Sequence, residues 1–239
     1  MKIAIVNTFR PLMLIGGGEI GTNDVQIARA IAPVCVAVDG GADAALTAGL
    51  DVEAVIGDMD SISDTARARV PPERFHHIAE QDSTDFDKAL RSVSAPAVVA
   101  VGFGGGRMDH ALAALHTMTV RADIAVVMLC AQDIIFMCPP AFELQMDPGT
   151  RVSLFPMGPV TGRSQGLNWP IDGLSFAPGV QSGTSNHATG AIRLEMDQPG
   201  MLCILPRQFI QPVVSLLAAL PVHARWPARA ERYTSLQPS

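Results

Sequence analysis

Four short runs of wholly apolar residues, 12–15, 34–38, 54–56 and 97–101, each stop at a glycine or an aspartate. They are too short for helices and lack the alternation of a sheet with one wet face. Each therefore reads as a strand buried on both sides. Segments with helical spacing lie between and after them: 24–31, 42–48, 64–69, 85–93 and 111–120. Thr84 is placed to cap the fourth of these, with Asp87 at the third helical position. Further strands are expected at 1–7, 75–79 and 124–129. Strand, loop and helix in such close succession specify a parallel sheet covered on both faces.

After residue 138 the texture changes. Short apolar runs at 143–146, 151–155, 191–196 and 201–205 are separated by proline and glycine, and the next helical period comes at 209–220. The expected fold is α/β: an N-terminal Rossmann-like parallel-sheet domain over 1–138, then a small C-terminal β-sandwich domain over 139–222. The remainder, 223–239, has no periodicity and is expected to be loosely held.

Bulk properties narrow the function. The 239 residues carry a formal net charge of −6, with 48% hydrophobic and only 17% charged residues. No basic stripe suggests nucleic acid, no apolar run approaches a membrane span, and residues 1–6 lack a signal-peptide pattern. Cys35, Cys130, Cys138 and Cys203 stand singly in apolar surroundings, as expected of reduced core residues in a cytoplasmic protein.

The strand ends carry carboxylates. Gly57-Asp58-Met59-Asp60-Ser61 follows one strand, Asp39-Gly40-Gly41 another, Asp82 and Asp85 a third, and Asp109 lies beyond a fourth. Each aspartate alone would serve as a cap or turn residue. Together they fall on one edge of one sheet, where ligands of open α/β sheets collect. So many carboxylates repel one another unless a cation shares the space, which points to a divalent metal with phosphate oxygens. Gly104-Gly105-Gly106-Arg107 supplies the complement: bare backbone N–H groups before a helix, then a guanidinium fork. His110 stands beside Asp109, within reach of the same ligand. The loop is not a Walker A motif, since no Gly-Lys-Ser/Thr follows.

A competing pattern is present. Gly16-x-Gly18-x-x-Gly21 follows a strand, and Asp39 comes roughly 20 residues later, as in a dinucleotide fingerprint. That alternative is an NAD-dependent oxidoreductase, in which the carboxylates at 58, 60, 82 and 85 would have no use. Trp169, in a polar stretch between Asn168 and Pro170, is either a core anchor or a platform for a flat cationic ligand.

Taken in order, Asp39-Gly40-Gly41-Ala42, Gly57-Asp58-Met59-Asp60-Ser61, Asp82-Ser83-Thr84-Asp85 and Gly105-Gly106-Arg107-Met108-Asp109-His110 resemble the motifs of thiamine pyrophosphokinases. Gly166-Leu167-Asn168-Trp169-Pro170 and Gly183-Thr184-Ser185-Asn186 are similar to that family's thiamine-binding region. The resemblance runs from about Leu12 to Pro206; one departure is Gln81, where many relatives have Lys or Asp. It implies transfer of the pyrophosphoryl group of ATP, with Mg²⁺, to the hydroxyethyl oxygen of thiamine, releasing AMP. It also implies a homodimer with the thiamine site near the subunit junction. By position, Asp58, Asp60 and Asp82 would be the metal-site and catalytic carboxylates, with Asp60 or Asp82 taking the alcohol proton. Asp39, Gly40, Gly41, Asp85, Gly105, Gly106, Arg107, Asp109 and His110 would contact the nucleotide or its metal. Trp169, Thr184, Ser185 and Asn186 would face thiamine. A pyrophosphokinase acting on a pterin alcohol is the nearest alternative within this chemistry.

Overall fold

The structure, a computed structural model, describes residues 4–228. In chain order its first half holds β1 (Val6–Asn7), β2 (Leu12–Ile15), α1 (Asp24–Ile31), β3 (Val34–Val38) and α2 (Gly41–Thr47). Then come β4 (Ala54–Gly57), α3 (Asp64–Arg69), β5 (Phe75–His77), α4 (Asp85–Ser92), β6 (Val93–Ser94), β7 (Val98–Val101), α5 (Met108–Val120) and β8 (Val126–Leu129). The second half is mostly strand: β9 (Asp133–Met137), β10 (Ala141–Leu144), β11 (Arg151–Pro156), β12 (Val160–Leu167), β13 (Ser175–Phe176), β14 (Thr184–Met196) and β15 (Met201–Pro206). Helix α6 (Ile210–Ala219) follows.

Six strands pair in parallel in the order β8-β7-β2-β3-β4-β5. The chain steps outward from β2 through β3 and β4 to β5, then returns to β7 on the other side of β2. Connections therefore diverge at the carboxyl ends of β2 and β7, and an open crevice forms there.

Alternate residues of each strand enter two different cores. Met13, Ile15, Ala37, Val55 and Val99 pack with Ala28 of α1, Ala45 of α2, Ala66 of α3 and Val214 of α6. Leu12, Leu14, Val36, Ile56 and Ala100 pack with Phe86 and Leu90 of α4 and Met118 of α5. Both faces being dry, no polar side chain is selected within β2, β3, β4, β7 and β8, which is why these strands appear in the sequence as unbroken apolar runs; the edge strand β5 carries His76 and His77.

The sheet runs without interruption through the expected boundary near 138. β9 pairs antiparallel with β8, β15 with β9, and β11 with β15. β14 then spans two sets of partners: residues 184–187 pair with β11, and 192–195 with β10. Its later residues also pair with β12. The result is a mixed α/β protein built on one 13-stranded sheet. Four strands, β6, β9, β12 and β13, were not expected from the sequence, and β14 begins seven residues before the expected 191. At the N-terminus, β1 pairs with β6 in a separate two-stranded sheet; residues 1–3 lie outside the described residues.

The end of the chain differs from expectation where it is described. Arg225 donates to the carbonyls of Leu217 and Leu220 at the end of α6 and to that of Pro96. Trp226 donates its indole N–H to the Cys138 carbonyl at 2.7 Å. Orphan helix carbonyls explain this: an arginine just past the helix satisfies several at once. Residues 229–239 lie outside the described residues.

Candidate active site

The crevice is a cleft of about 800 Å³. Asp39, Gly40, Asp60, Asp85, Gly105, Gly106, Arg107 and His110 line it, as do Gly16–Gly18, Thr84 and an apolar wall that includes Phe86 and Phe103. Carboxylate oxygens of Asp39, Asp58 and Asp60 lie within 4.8 Å of one another. Thus eight of the expected residues share one cavity, and Asp58 joins it through the carboxylate trio. Gly41, Asp82 and Asp109 stand outside the lining. Asp82 is on the exposed turn before α4, and Asp39 rather than Asp82 completes the trio.

Local backbone geometry builds the trio. Asp39 (φ 46°) and Met59 (φ 66°) have left-handed conformations that residues other than glycine seldom adopt, and such strain concentrates at functional sites. Arg67 donates to the Met59 carbonyl, which holds that turn. Gly57 sits where a Cβ would come 2.9 Å from the Cβ of Asp39, so only glycine lets the end of β4 lie against that residue. The carboxylates are further fixed by backbone donors: Ser61 N–H to Asp39 Oδ1 at 3.4 Å, and Asp60 N–H to Asp58 Oδ1 at 3.4 Å.

Burial dominates at Asp39 and outweighs the hydrogen bonds from Ser61 and the Gly40 backbone; its pKa is raised above the ordinary carboxylate value. An acid with a higher pKa folded than unfolded binds more protons when folded. Stability therefore falls as pH rises through the window that starts at the ordinary carboxylate value, and the cost persists above it. Asp39→Asn should consequently show a higher Tm than the parent in cation-free buffer at neutral pH. Asparagine also tolerates the left-handed backbone. The gap should close as pH falls to about 4. A gap that widens on acidification would contradict the assignment of burial as the cause.

Lys88, on α4, was not anticipated. Its side chain is only 2% exposed, and Nζ lies 2.9 Å from Asp85 Oδ1 and 4.0 Å from Asp58 Oδ2. The Asp85 partner, three residues earlier on the helix, was legible; the Asp58 partner, on another strand, was not. Arg107, also in the cleft lining, grips Asp109 with Nη2–Oδ2 at 2.6 Å and Nε–Oδ1 at 3.2 Å, which holds the Asp109 carboxyl down to about 2. Both side chains are exposed, so the pair is open to exchange for phosphate oxygens.

The glycines of the dinucleotide-like pattern have another cause. A Cβ on Gly18 would meet the Gly102 carbonyl oxygen at 2.6 Å, so Gly18 is required by the contact between the loops after β2 and β7. The Gly21 N–H is taken by Asp24 Oδ2 at 2.8 Å, while Asp24 Oδ1 accepts from Arg207 at 2.6 Å. Asp39 belongs to the carboxylate trio. The oxidoreductase alternative is left without support.

Trp169, Thr184, Ser185 and Asn186 cluster on the antiparallel part of the sheet, and none lines the cleft. Asn186 is fully buried; its Oδ1 accepts from the backbone N–H of Trp169 at 3.1 Å and of His187 at 2.9 Å, and its Nδ2 donates to the Trp169 carbonyl at 2.6 Å. Asn186 thus holds the Trp169 backbone rather than presenting its amide to a ligand. Trp169 is 55% exposed, with its ring centroid 6.0 Å from that of His187. That exposure removes the core-anchor reading. Thr184 Oγ1 is buried without a partner among the described residues, an open hydrogen-bonding position in the same patch.

Residues 28–128 match the family described as thiamin pyrophosphokinase, catalytic domain. The chain is 31% identical over 129 residues to a thiamine pyrophosphokinase of Bacillus subtilis (strain 168), covering 50% of this chain and 60% of that protein. It is 26% identical over 153 residues to thiamine pyrophosphokinase 1 of Oryza sativa subsp. japonica, covering 56% of this chain and 58% of that protein. These matches thus span somewhat under two thirds of either relative. In fold, it is similar to the crystal structure of thiamin pyrophosphokinase from Geobacillus thermodenitrificans, with a TM-score of 0.67 at 21% identity over 82% of this chain and 96% of that one. The Candida albicans thiamin pyrophosphokinase gives 0.69 at 14% identity over 86% and 95%. Catalytic-domain match, sequence relatives and shared fold agree: over residues 28–128 and in its fold, the chain is similar to thiamin pyrophosphokinases.

Proposed function

We propose that the protein transfers the pyrophosphoryl group of ATP to the hydroxyethyl oxygen of thiamine, giving thiamine diphosphate and AMP. The observation that carries this reading is the cleft at the β2/β7 divergence, which Asp39 and Asp60 of the carboxylate trio line together with a glycine-rich loop ending in Arg107. A site of this kind suits a long triphosphate gripped at several points, where catalysis is mostly positioning and charge neutralisation.

Three hard oxygen donors within 4.8 Å fit Mg²⁺, so Asp39, Asp58 and Asp60 would hold it, with Asp82 joining if its turn closes over the cleft. Held there, it would supply positive charge that offsets the negative charge of the phosphates. The chain's own residues do the rest. Backbone N–H groups of Gly105 and Gly106 and the Arg107 fork would bind phosphate, and the wall of Phe86 and Phe103 would take the flat base. As the alcohol oxygen bonds to the β-phosphorus, the bond from that phosphorus to the oxygen bridging it to the α-phosphate breaks. AMP leaves with that oxygen, and the alcohol proton passes to a carboxylate, Asp60 being the one exposed in the cleft.

In this reading residues 1–138 act as the Rossmann-like ATP-binding part and 139–222 as a sandwich-like thiamine-binding part. Because the Trp169 patch does not line the cleft of its own protomer, a homodimer would bring a second copy's patch to it. A cytoplasmic location fits four free cysteines. Among the described residues no helix is long and apolar enough to cross a membrane.

Incubation with ATP, Mg²⁺ and thiamine, followed by chromatography of the nucleotides, tests the reading. AMP with thiamine diphosphate is expected. ADP would refute pyrophosphoryl transfer, and AMP formed with a pterin alcohol but not with thiamine would refute the acceptor. Trp169→Ala should raise the KM for thiamine at least about tenfold while leaving that for ATP nearly unchanged, as for loss of a stacking platform. Equal KM values in parent and variant would remove Trp169 from the acceptor site.

A further inference from the structure

We propose that Lys88 is a positioning residue of this site: a cation built into the fold beneath the carboxylates, which fixes Asp85 and Asp58 and keeps the cluster assembled when no divalent cation is bound. The inference rests on the metal-phosphate reading of the cleft and goes beyond it.

The placement of Lys88 runs against the usual preferences of a lysine. It is the fourth residue of α4, in the first turn, where the helix dipole disfavours positive charge. It is 1% exposed, between Phe86 at 4% and the fully buried Ala89 and Leu90 of the same helix. A lysine is almost never so buried without a partner, because the ammonium loses its hydration. The compensation comes from the site. Asp85 Oδ1 accepts from Lys88 Nζ at 2.9 Å and from the Asp58 backbone N–H at 3.2 Å. One carboxylate oxygen thereby ties the start of α4 to the end of β4, where the trio begins. Asp85 also lines the cleft. Nζ also lies 4.0 Å from Asp58 Oδ2, so a single buried charge acts on two of the site's carboxylates.

A lysine filling space could be replaced by methionine with a uniform stability loss. A lysine serving as counter-ion cannot, because its removal leaves carboxylates facing one another, and a bound divalent cation then has more to offset. The Tm of parent, Lys88→Met, Asp85→Asn and the double variant would be measured with and without Mg²⁺, in the absence of nucleotide. Lys88→Met should lower the metal-free Tm by on the order of 10 °C. Mg²⁺ alone should restore more of that loss than it adds to the parent. The double variant, which removes one charge of each sign, should recover Tm relative to Lys88→Met. In turnover, Lys88→Met should lose about 100-fold in kcat with little change in the KM for thiamine, and Lys88→Arg should regain part of it.

Equal Tm losses with and without Mg²⁺, together with a double variant no better than Lys88→Met, would overturn the proposal. If Lys88→Met does not fold, the double variant decides: folded protein supports the counter-ion role, and its absence overturns it. A parent whose Tm does not respond to Mg²⁺ would instead count against the metal reading. The coupling between positions 85 and 88, read without Mg²⁺, would still judge Lys88.

Discussion

Asp58→Asn and Asp60→Asn are each expected to cut turnover by more than about 100-fold, because partners one layer further from a metal already cost 10–100-fold when removed. Both carboxylates belong to the trio, and asparagine keeps their shape while withdrawing the charge that a cation and the triphosphate require. The fold should survive both changes for different reasons. Asp60 is exposed, and exposed substitutions usually stay within about 0.5 kcal/mol. Asp58 is half-buried; its loss weakens the attraction to Lys88 at 4.0 Å but also relieves repulsion from Asp39 and Asp60. Initial rates with thiamine and ATP, beside metal-free Tm values, check this. Activity within tenfold of the parent in both variants would remove the trio from catalysis. The same substitution at Asp82 reports on the turn before α4: a loss as large as at Asp58 means that this turn closes over the cleft.

What could be read from the sequence follows from where its signals are local. The parallel strands were legible because burial on both faces leaves wholly apolar runs, and Gly57-Asp58-Met59-Asp60 was legible because turn, trio and strand end are contiguous. β12 was not: its residues Val160–Leu167 include Gly162, Arg163, Ser164, Gln165 and Gly166, a polar stretch that becomes strand by pairing with β14. The first residues of β14, Thr184–His187, likewise owe their conformation to β11. Lys88 illustrates the same limit at the site, since its distant partner is 30 positions away in sequence. In the opposite direction, Gly16, Gly18 and Gly21 formed a clear pattern whose cause proved different. Glycine is selected wherever backbones touch, and here a Cβ on Gly18 would meet the Gly102 carbonyl oxygen.

Asp87→Asn is expected to lower Tm by on the order of 10 °C, a loss as large as that expected for Lys88→Met. Asp87 is 6% exposed and accepts from Arg91 Nε at 2.8 Å and from Arg121 Nε and Nη2 at 2.7 and 3.2 Å. Both guanidinium groups are mostly buried. Breaking one partner out of a buried ionic network costs about 3–5 kcal/mol. For a chain of this size each kcal/mol is worth about 2–4 °C. Asparagine is worse than a neutral spacer, because its amide hydrogens would face guanidinium hydrogens. The loss should also reach the active site. Arg91 pairs with Glu80 and donates to Ser83 Oγ at 3.1 Å, so it holds the turn that carries Asp82 and leads to Thr84, which lines the cleft. A variant assayed well below its Tm should therefore still show reduced kcat, whereas full kcat below Tm would confine Asp87 to the scaffold. A Tm within about 2 °C of the parent would mean that water takes over the two arginines once the carboxylate is gone.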